Sequence, residues 1–372
     1  MKIFERTFDP ELNFSLSALG IEAENALFFD IETTGLSAYR ANLYLIGVVF
    51  YEPEQEDWHL LQYFAESAAD ELPMLHAFFE LLRTRKQLVS FNGEGFDIPF
   101  LKAMCTQYGL PQPFDSVESF DIFRLLRPGK SLLRLPSYRL KSCERFLGIE
   151  REDRFDGGEL ILLYQAYLRD RDPEKLRTLL LHNAEDLENL PRILPILSYS
   201  FIRSAPALLR HKDLIPLPTG DGVCLDLLYE SEISLPRPVD LDTAELKKSG
   251  FLPNTVLLNI TGREINLSVR LYEGELKYFH ADYKNYYYLP AEDTAVHCSL
   301  AEFVDSRSRE RASAKTAYQR RCGLFLPELS PVFTPVFLRE YKDKALFAEW
   351  RDSLFTEETQ ALRYLRDFFS LL

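Results

Sequence analysis

Cysteine is scarce and scattered. Cys105, Cys143, Cys224, Cys298 and Cys322 form no Cys-x-x-Cys pair, which argues against a zinc site and offers no disulfide frame. Such thiols suit a reducing compartment, so a cytoplasmic location is the expectation. No run of about 18 apolar residues occurs, and no membrane span is expected. The opening Met1-Lys2-Ile3-Phe4-Glu5-Arg6 lacks the apolar region of a signal peptide. Basic charge is outweighed: 43 Lys and Arg stand against 57 Asp and Glu, a net charge of −14. A chain so acidic does not wrap long duplex by bulk charge, although a local basic track stays open to it. Internal repeats and low-complexity tracts are also missing. What is present is 372 residues, 46% hydrophobic and 13% aromatic. That is enough for sizeable cores and two or three domains.

The stretch that organises the chain is Ala26-Leu27-Phe28-Phe29-Asp30-Ile31-Glu32-Thr33-Thr34-Gly35. A short apolar run bounded by turn residues reads as a buried strand. With a side-chain period of two, Asp30 and Glu32 share one face. Paired carboxylates at a buried strand end are costly unless a cation or a shared proton compensates them. Hard divalent cations take oxygen ligands of this kind; the plain alternative is a pair of solvated strand-end acids.

Residues 1–25 read as a lead-in. Leu43–Tyr51 and Trp58–Phe64 read as strands that complete an antiparallel meander with the first. Ala68–Lys86 has helical spacing, Leu88–Asn92 is a short strand, Phe96–Tyr108 a helix, and Ser119–Phe123 a fifth strand. Helices follow near Ser137–Leu147, Gly158–Leu168 and Pro173–Leu190, the last with Asp172 as N-cap and Pro173 at its first position. Three strands followed by alternating helices and strands predict an α/β fold with a mixed sheet. Beyond about residue 200 the texture changes. Pro206, Pro216, Pro218, Gly220 and Gly222 suggest a linker. Thr255–Ile260, Ile265–Arg270 and Leu276–His280 read as a second meander, Asp293–Arg311 as a polar helix and Phe347–Leu371 as a helical region. The expected division is residues 1–200 and an α+β domain over 201–372.

Other carboxylates accompany the first pair. Asp97 follows Asn92-Gly93-Glu94-Gly95-Phe96 where a helix begins, as a cap or as a functional acid. His182 and Asp186 are four residues apart, about 40° around one helix face, on the flank of the stripe Leu176, Leu179, Leu180, Leu187 and Leu190. Asp121, at a strand end, is either a neighbour of the site or an acid bonded to local backbone. These motifs resemble the DEDD superfamily of 3′–5′ exonucleases, with its ribonuclease H-like fold, and most closely its bacterial YprB-like branch. The resemblance rests on Asp30-Ile31-Glu32-Thr33-Thr34-Gly35, Asn92-x-x-x-Phe96-Asp97 and His182-x-x-x-Asp186, with Tyr138–Ser142 and Phe146–Ile149 between the last two. It covers about residues 26–192. One departure stands out: the superfamily has Tyr-x-x-x-Asp and His-x-x-x-x-Asp branches, and here the histidine occurs at the tyrosine spacing.

The resemblance implies that Asp30, Glu32, Asp97 and Asp186 hold two Mg²⁺ or Mn²⁺ ions, their four charges offsetting two divalent cations. It implies His182 as general base on the attacking water, and Thr33, Asn92, Phe96, Arg139 and Lys141 as substrate contacts. For Asn92 a turn-shaping role is equally open. The implied partner is nucleic acid, DNA or RNA, with a protein partner for the C-terminal domain as a further option. Between Arg124 and Arg151 lie eight basic residues (Arg124, Arg127, Lys130, Arg134, Arg139, Lys141, Arg145, Arg151) against Glu144 and Glu150, placed either to meet phosphates or to form a solvated face. A second run, Arg307, Arg309, Arg311, Lys315, Arg320 and Arg321, follows Tyr286-Tyr287-Tyr288. Those tyrosines either pack or stack on single strands. A catalytically silent binding or interaction module and a structure-selective endonuclease are the competing readings.

Overall fold

The computed structural model describes residues 1–217, 220, 222–242 and 256–372. Its backbone divides into two compact units, Met1–Ser200 and Phe201–Leu372.

The first unit is a six-stranded mixed sheet flanked by helices. In chain order come β1 (Lys2–Phe8), β2 (Ala26–Thr33), β3 (Leu43–Glu52), β4 (Asp57–Phe64), α1 (Glu71–Leu82), β5 (Gln87–Ser90), α2 (Asp97–Tyr108), β6 (Glu118–Asp121), α3 (Ile122–Leu126), α4 (Lys130–Leu133), α5 (Leu140–Leu147), α6 (Gly157–Asp170), α7 (Pro173–Ile193) and the short α8 (Ser198–Phe201). The strand order is β1-β4-β3-β2-β5-β6. β2 pairs antiparallel with β3 and parallel with β5. This is the sheet that the ribonuclease H-like resemblance implies.

The lead-in reading of residues 1–25 is corrected. Lys2–Phe8 is an edge strand running antiparallel to β4, from Lys2↔Phe64 to Phe8↔Trp58. An edge strand exposes most of its residues, so Lys2–Phe8 carries no apolar run to mark it. The core forms where β2 is apolar on both faces: Phe29 stacks on Phe78 of α1 with centroids 5.7 Å apart, and Tyr44 of β3 on Tyr164 of α6 at 4.3 Å. α6 starts with a capping box between Asp156 and Glu159. α7 starts with Asp172 accepting from the Glu174 N–H and Pro173 in the first turn.

α7 lies directly on β3 at Gly47, which faces Asp30 across the β2–β3 pair. A Cβ at residue 47 would stand 2.0 Å from Asn183 Oδ1 and 2.3 Å from a Leu187 methyl. Gly47→Ala must therefore push α7 off the sheet. It is expected to cost about 1–3 kcal/mol, the usual range for overpacking, as a lowered urea midpoint. An unchanged midpoint would mean that α7 shifts freely.

The second unit is β-rich. A five-stranded sheet runs, in spatial order, β7 (Ala207–Pro216), β8 (Val223–Ser231), β11 (Glu264–Arg270), β10 (Val256–Thr261), β9 (Val239–Asp242). A four-stranded sheet runs β12 (Tyr272–Phe279), β16 (Tyr318–Glu328), β18 (Leu346–Glu349), β17 (Val336–Phe337). A three-stranded sheet runs β14 (Thr294–His297), β13 (Tyr286–Leu289), β15 (Glu310–Arg311). Among the described residues the helices are α9 (Cys298–Ala301) and α10 (Glu358–Leu371).

Four expectations are corrected in this unit. The linker reading of 206–216 gives way to strand β7, whose exposed edge reads as polar; Pro218 lies outside the described residues, as does Thr255. Leu276–His280 does not join the strand pair before it, because β12 pairs with β16 in another sheet. Asp293–Arg311 is not one helix: Thr294–His297 pairs with β13, and Asp293 turns the chain with φ 48°. Phe347–Glu349 belongs to strand β18, and the helix begins only at Glu358.

Candidate active site

Asp30 and Glu32 project from the end of β2 to the face that α7 covers. Two neighbours on α7 meet them. Asn183 donates from Nδ2 to Asp30 Oδ2 at 2.9 Å, and His182 Nε2 lies 3.4 Å from Glu32 Oε1. The Asn183 amide is oriented by Gln62 of β4, whose Nε2 donates to Asn183 Oδ1 and to the Leu180 carbonyl, each at 2.9 Å. Tyr44 donates from its hydroxyl to Glu32 Oε2 at 3.3 Å. The side-chain-free position at 47 is what lets α7 approach this closely.

Asp97 is the first residue of α2, in reach of the helix N-terminus. Its Oδ1 accepts from the Ile31 N–H at 3.3 Å, which ties it to the strand between the two acids. Asp121 answers to the local-backbone reading. Its carboxylate accepts from the N–H groups of Asn92 (2.9 Å), Glu94 (3.1 Å) and Arg124 (3.2 Å). It thereby holds the loop that delivers Asp97, and it adds a like charge to that acid's surroundings.

The i,i+4 spacing on α7 brings His182 Nε2 within 3.5 Å of Asp186 Oδ2. The other ring nitrogen, Nδ1, lies 2.7 Å from Asp153 Oδ2. Burial works against ionisation of Asp153, but hydrogen bonds from Lys141 and His182 outweigh it and hold the carboxyl below its ordinary value. An ionised carboxylate only accepts, so Nδ1 carries a proton, and Nε2 faces Glu32 and Asp186.

Arg151 follows neither of the two readings of the basic segment, a phosphate contact or a solvated face. Its side chain is only 7% exposed. Nη1 donates to both Glu144 oxygens (3.0 and 3.2 Å) and to Asp186 Oδ1 (2.5 Å), and Nη2 to the His182 carbonyl at 3.4 Å. Asp153 and Glu185 lie within ion-pair distance. Lys141 turns inward too, donating to Asp153 Oδ2 (2.8 Å) and the Phe155 carbonyl (2.6 Å). Arg139 stays exposed at the start of α5. Thr33 donates to the Gly35 carbonyl, Asn92 occupies a turn with φ 68°, and Phe96 packs on Phe100.

Densely surrounded by protein, the central acids are reluctant to ionise. Burial, then the charges of Asp97, Asp186 and Glu32, hold Asp30 well above the ordinary carboxylate value. Burial and Asp186 push Glu32 to about 8, and burial pushes Asp97 to about 7. These groups fit a hard divalent cation: oxygen donors dominate, and ligand atoms of Glu32, His182 and Asp186 all lie within 4.8 Å of one another.

Both raised values stabilise the protonated folded protein. That contribution is complete below about pH 4 and is lost as pH rises through 7 to 8. In chelator, these groups are therefore expected to lower the melting midpoint between pH 5.5 and pH 8.5, and less in Glu32→Gln than in the wild type. Mg²⁺ or Mn²⁺ should raise the midpoint more at pH 8.5. Equal cation shifts at the two pH values would sink this account.

Asn183, Asp153, Gln62, Gly47 and the inward role of Arg151 were not anticipated from the sequence. A glycine within the β-branched and aromatic run of β3 was the one local sign, since strand glycines mark close approach.

Residues 27–198 match the family model RNase_H_2, described as RNase_H superfamily. The first unit thus has a ribonuclease H-like fold. Over 208 residues the chain is 27% identical to YprB of Bacillus subtilis (strain 168), an uncharacterized protein, covering 54% of this chain and 49% of that one. The chain spans about half the length of this relative. Among solved structures, a family B DNA polymerase from the hyperthermophilic archaeon Pyrobaculum calidifontis matches with 16% identity and a TM-score of 0.37, covering 49% of this chain and 26% of the polymerase. The apo form of a nuclease matches with 17% identity and a TM-score of 0.31, covering 51% and 79%.

Proposed function

We propose that the first unit is a metal-dependent 3′–5′ exonuclease that hydrolyses the terminal phosphodiester of single-stranded DNA or RNA. The ribonuclease H superfamily match supports nucleic-acid hydrolysis. The observation that carries the finer reading is the convergence of Glu32, His182 and Asp186, with Asp30 and Asp97 electrostatically joined to them.

Asp30, Glu32, Asp97 and Asp186 would hold Mg²⁺ or Mn²⁺. When bound, divalent cations activate water and stabilise charge on the attacking and leaving oxygens. His182 takes the water's proton at Nε2, the nitrogen left free by the Asp153 hydrogen bond. Asp153 then stabilises the imidazolium and keeps the ring in place. Asn183 and Tyr44 hold Asp30 and Glu32 by direct donation, so the acids keep their positions without relying on substrate. The products are a nucleoside monophosphate and a chain shorter by one.

Digestion of end-labelled single- and double-stranded DNA and RNA, with Mg²⁺, Mn²⁺ or EDTA, tests the reading. Stepwise release of mononucleotides from free 3′ ends, lost in EDTA, is expected. Full activity in EDTA, or equal cleavage of a substrate with a blocked 3′ end, would overturn it.

A further inference from the structure

The three consecutive tyrosines of β13 do not behave alike. Tyr286 stacks on His280 with centroids 4.0 Å apart. Tyr288 donates to Asp293 Oδ1 at 2.6 Å, and its ring lies 6.1 Å from Tyr318. Both are satisfied within the fold. Strand alternation turns Tyr287 to the opposite face. There its ring meets two guanidiniums, Arg309 at 4.9 Å and Arg311 at 4.5 Å. Arg311 is its cross-strand partner on β15, and Arg309, two residues earlier, also donates to the Ala301 carbonyl. Next to this layer, Leu300 and Phe303 are 61% and 88% exposed.

The charge of this region is opposite to that of the chain. Residues 306–321 contain six basic side chains and one acid, Glu310, in a protein of net charge −14. Among the described residues, Arg307, Arg311, Lys315 and Arg321 have no carboxylate partner. Arg320 pairs with Glu275 and Asp293, so the patch is only partly compensated, and at its centre is an aromatic ring layered with guanidinium planes.

We propose that Tyr287, Arg309 and Arg311 form a binding face for single-stranded nucleic acid in the second unit. Unpaired bases stack on the ring and guanidinium layer, and Arg307 and Arg311 meet the adjoining phosphates. Stacking on aromatic and guanidinium planes needs bases that are not already paired, and it tolerates any sequence. An acidic peptide would use the charge and leave the aromatic layer without a role. The proposal goes beyond hydrolysis and stands without it.

Fluorescence anisotropy of the full chain with labelled oligo-dT and oligo-rU, in EDTA so that nothing is cut, tests the face separately from the exonuclease reading. Tyr287→Leu, which keeps bulk but removes the π-face, should weaken binding by about 5- to 150-fold. Tyr287→Phe should bind like the wild type. Replacing Arg307 and Arg311 together by Gln should reduce the salt slope by about 1.4, or about 0.7 for each lost phosphate contact. Circular dichroism and melting midpoints identify which variants are folded. If folded Tyr287→Leu binds as tightly as the wild type, or if duplex or polyglutamate competes as well as unlabelled single strand, the proposal is overturned.

Discussion

Asp186→Ala is expected to lower hydrolysis by roughly 10³-fold or more, a size typical of removing a group on which the whole site acts. Two losses combine. A hard-cation ligand disappears from the group it forms with Glu32 and His182, and Arg151 loses its 2.5 Å contact on Nη1. The freed guanidinium still faces Glu144 and Asp153, so the fold should survive. Asp186→Asn separates the two effects, since it keeps the volume and a hydrogen-bonding oxygen but removes the charge. Mn²⁺ titration followed by calorimetry should show weakened binding in both variants. A variant that hydrolyses normally with unchanged Mn²⁺ affinity would remove Asp186 from the site.

His182→Ala is expected to cost roughly 10²–10⁴ in kcat, the common share of general acid–base catalysis, and to flatten the acidic limb of the pH–rate profile. Asp153→Asn should cost less, because the imidazole remains but the acceptor that fixes its tautomer is gone. The double variant should be no slower than His182→Ala alone, since Asp153 acts through that ring. Metal affinity decides the role of Nε2. Affinity kept in His182→Ala marks a proton acceptor. Affinity lost to the same degree as in Asp186→Ala marks a ligand and sinks the general-base assignment.

The sheet and the acid-bearing positions were legible because each announces itself locally. Ala26–Phe29 is an apolar run ended by two acids, Asp30 and Glu32, and Pro173 with Asp172 marks the start of α7. What supports those acids was hidden, because it comes from elsewhere in the chain. Gln62, Asp153 and Asn183 come from β4, the segment before α6 and α7, and nothing in their immediate neighbours distinguishes them from surface polar residues. The inward role of Arg151 was hidden for the same reason. In a run of eight basic residues it looks like one more phosphate contact, and only the fold shows that four acids surround it. In the second unit, 293–311 offered polar residues without apolar period, so hairpin pairing with Tyr286–Leu289 and the turn at Asp293 decided its structure.

The position of Arg151 has a consequence for the order of events in the life of the molecule. A cluster of acids that relied wholly on metal for its charge balance would make folding wait on ion supply, as in zinc fingers that are unfolded without metal. Here one internal cation already touches Asp186 and Glu144, so part of the compensation is encoded in the chain. Under the proposed function, the protein would fold first and take up its ions afterwards, and activity would then be a reversible readout of free divalent cation, set at each moment by supply. The melting curves in chelator at pH 8.5 measure this directly: a cooperative transition there shows folding independent of metal, and its absence would make the ions part of the fold itself.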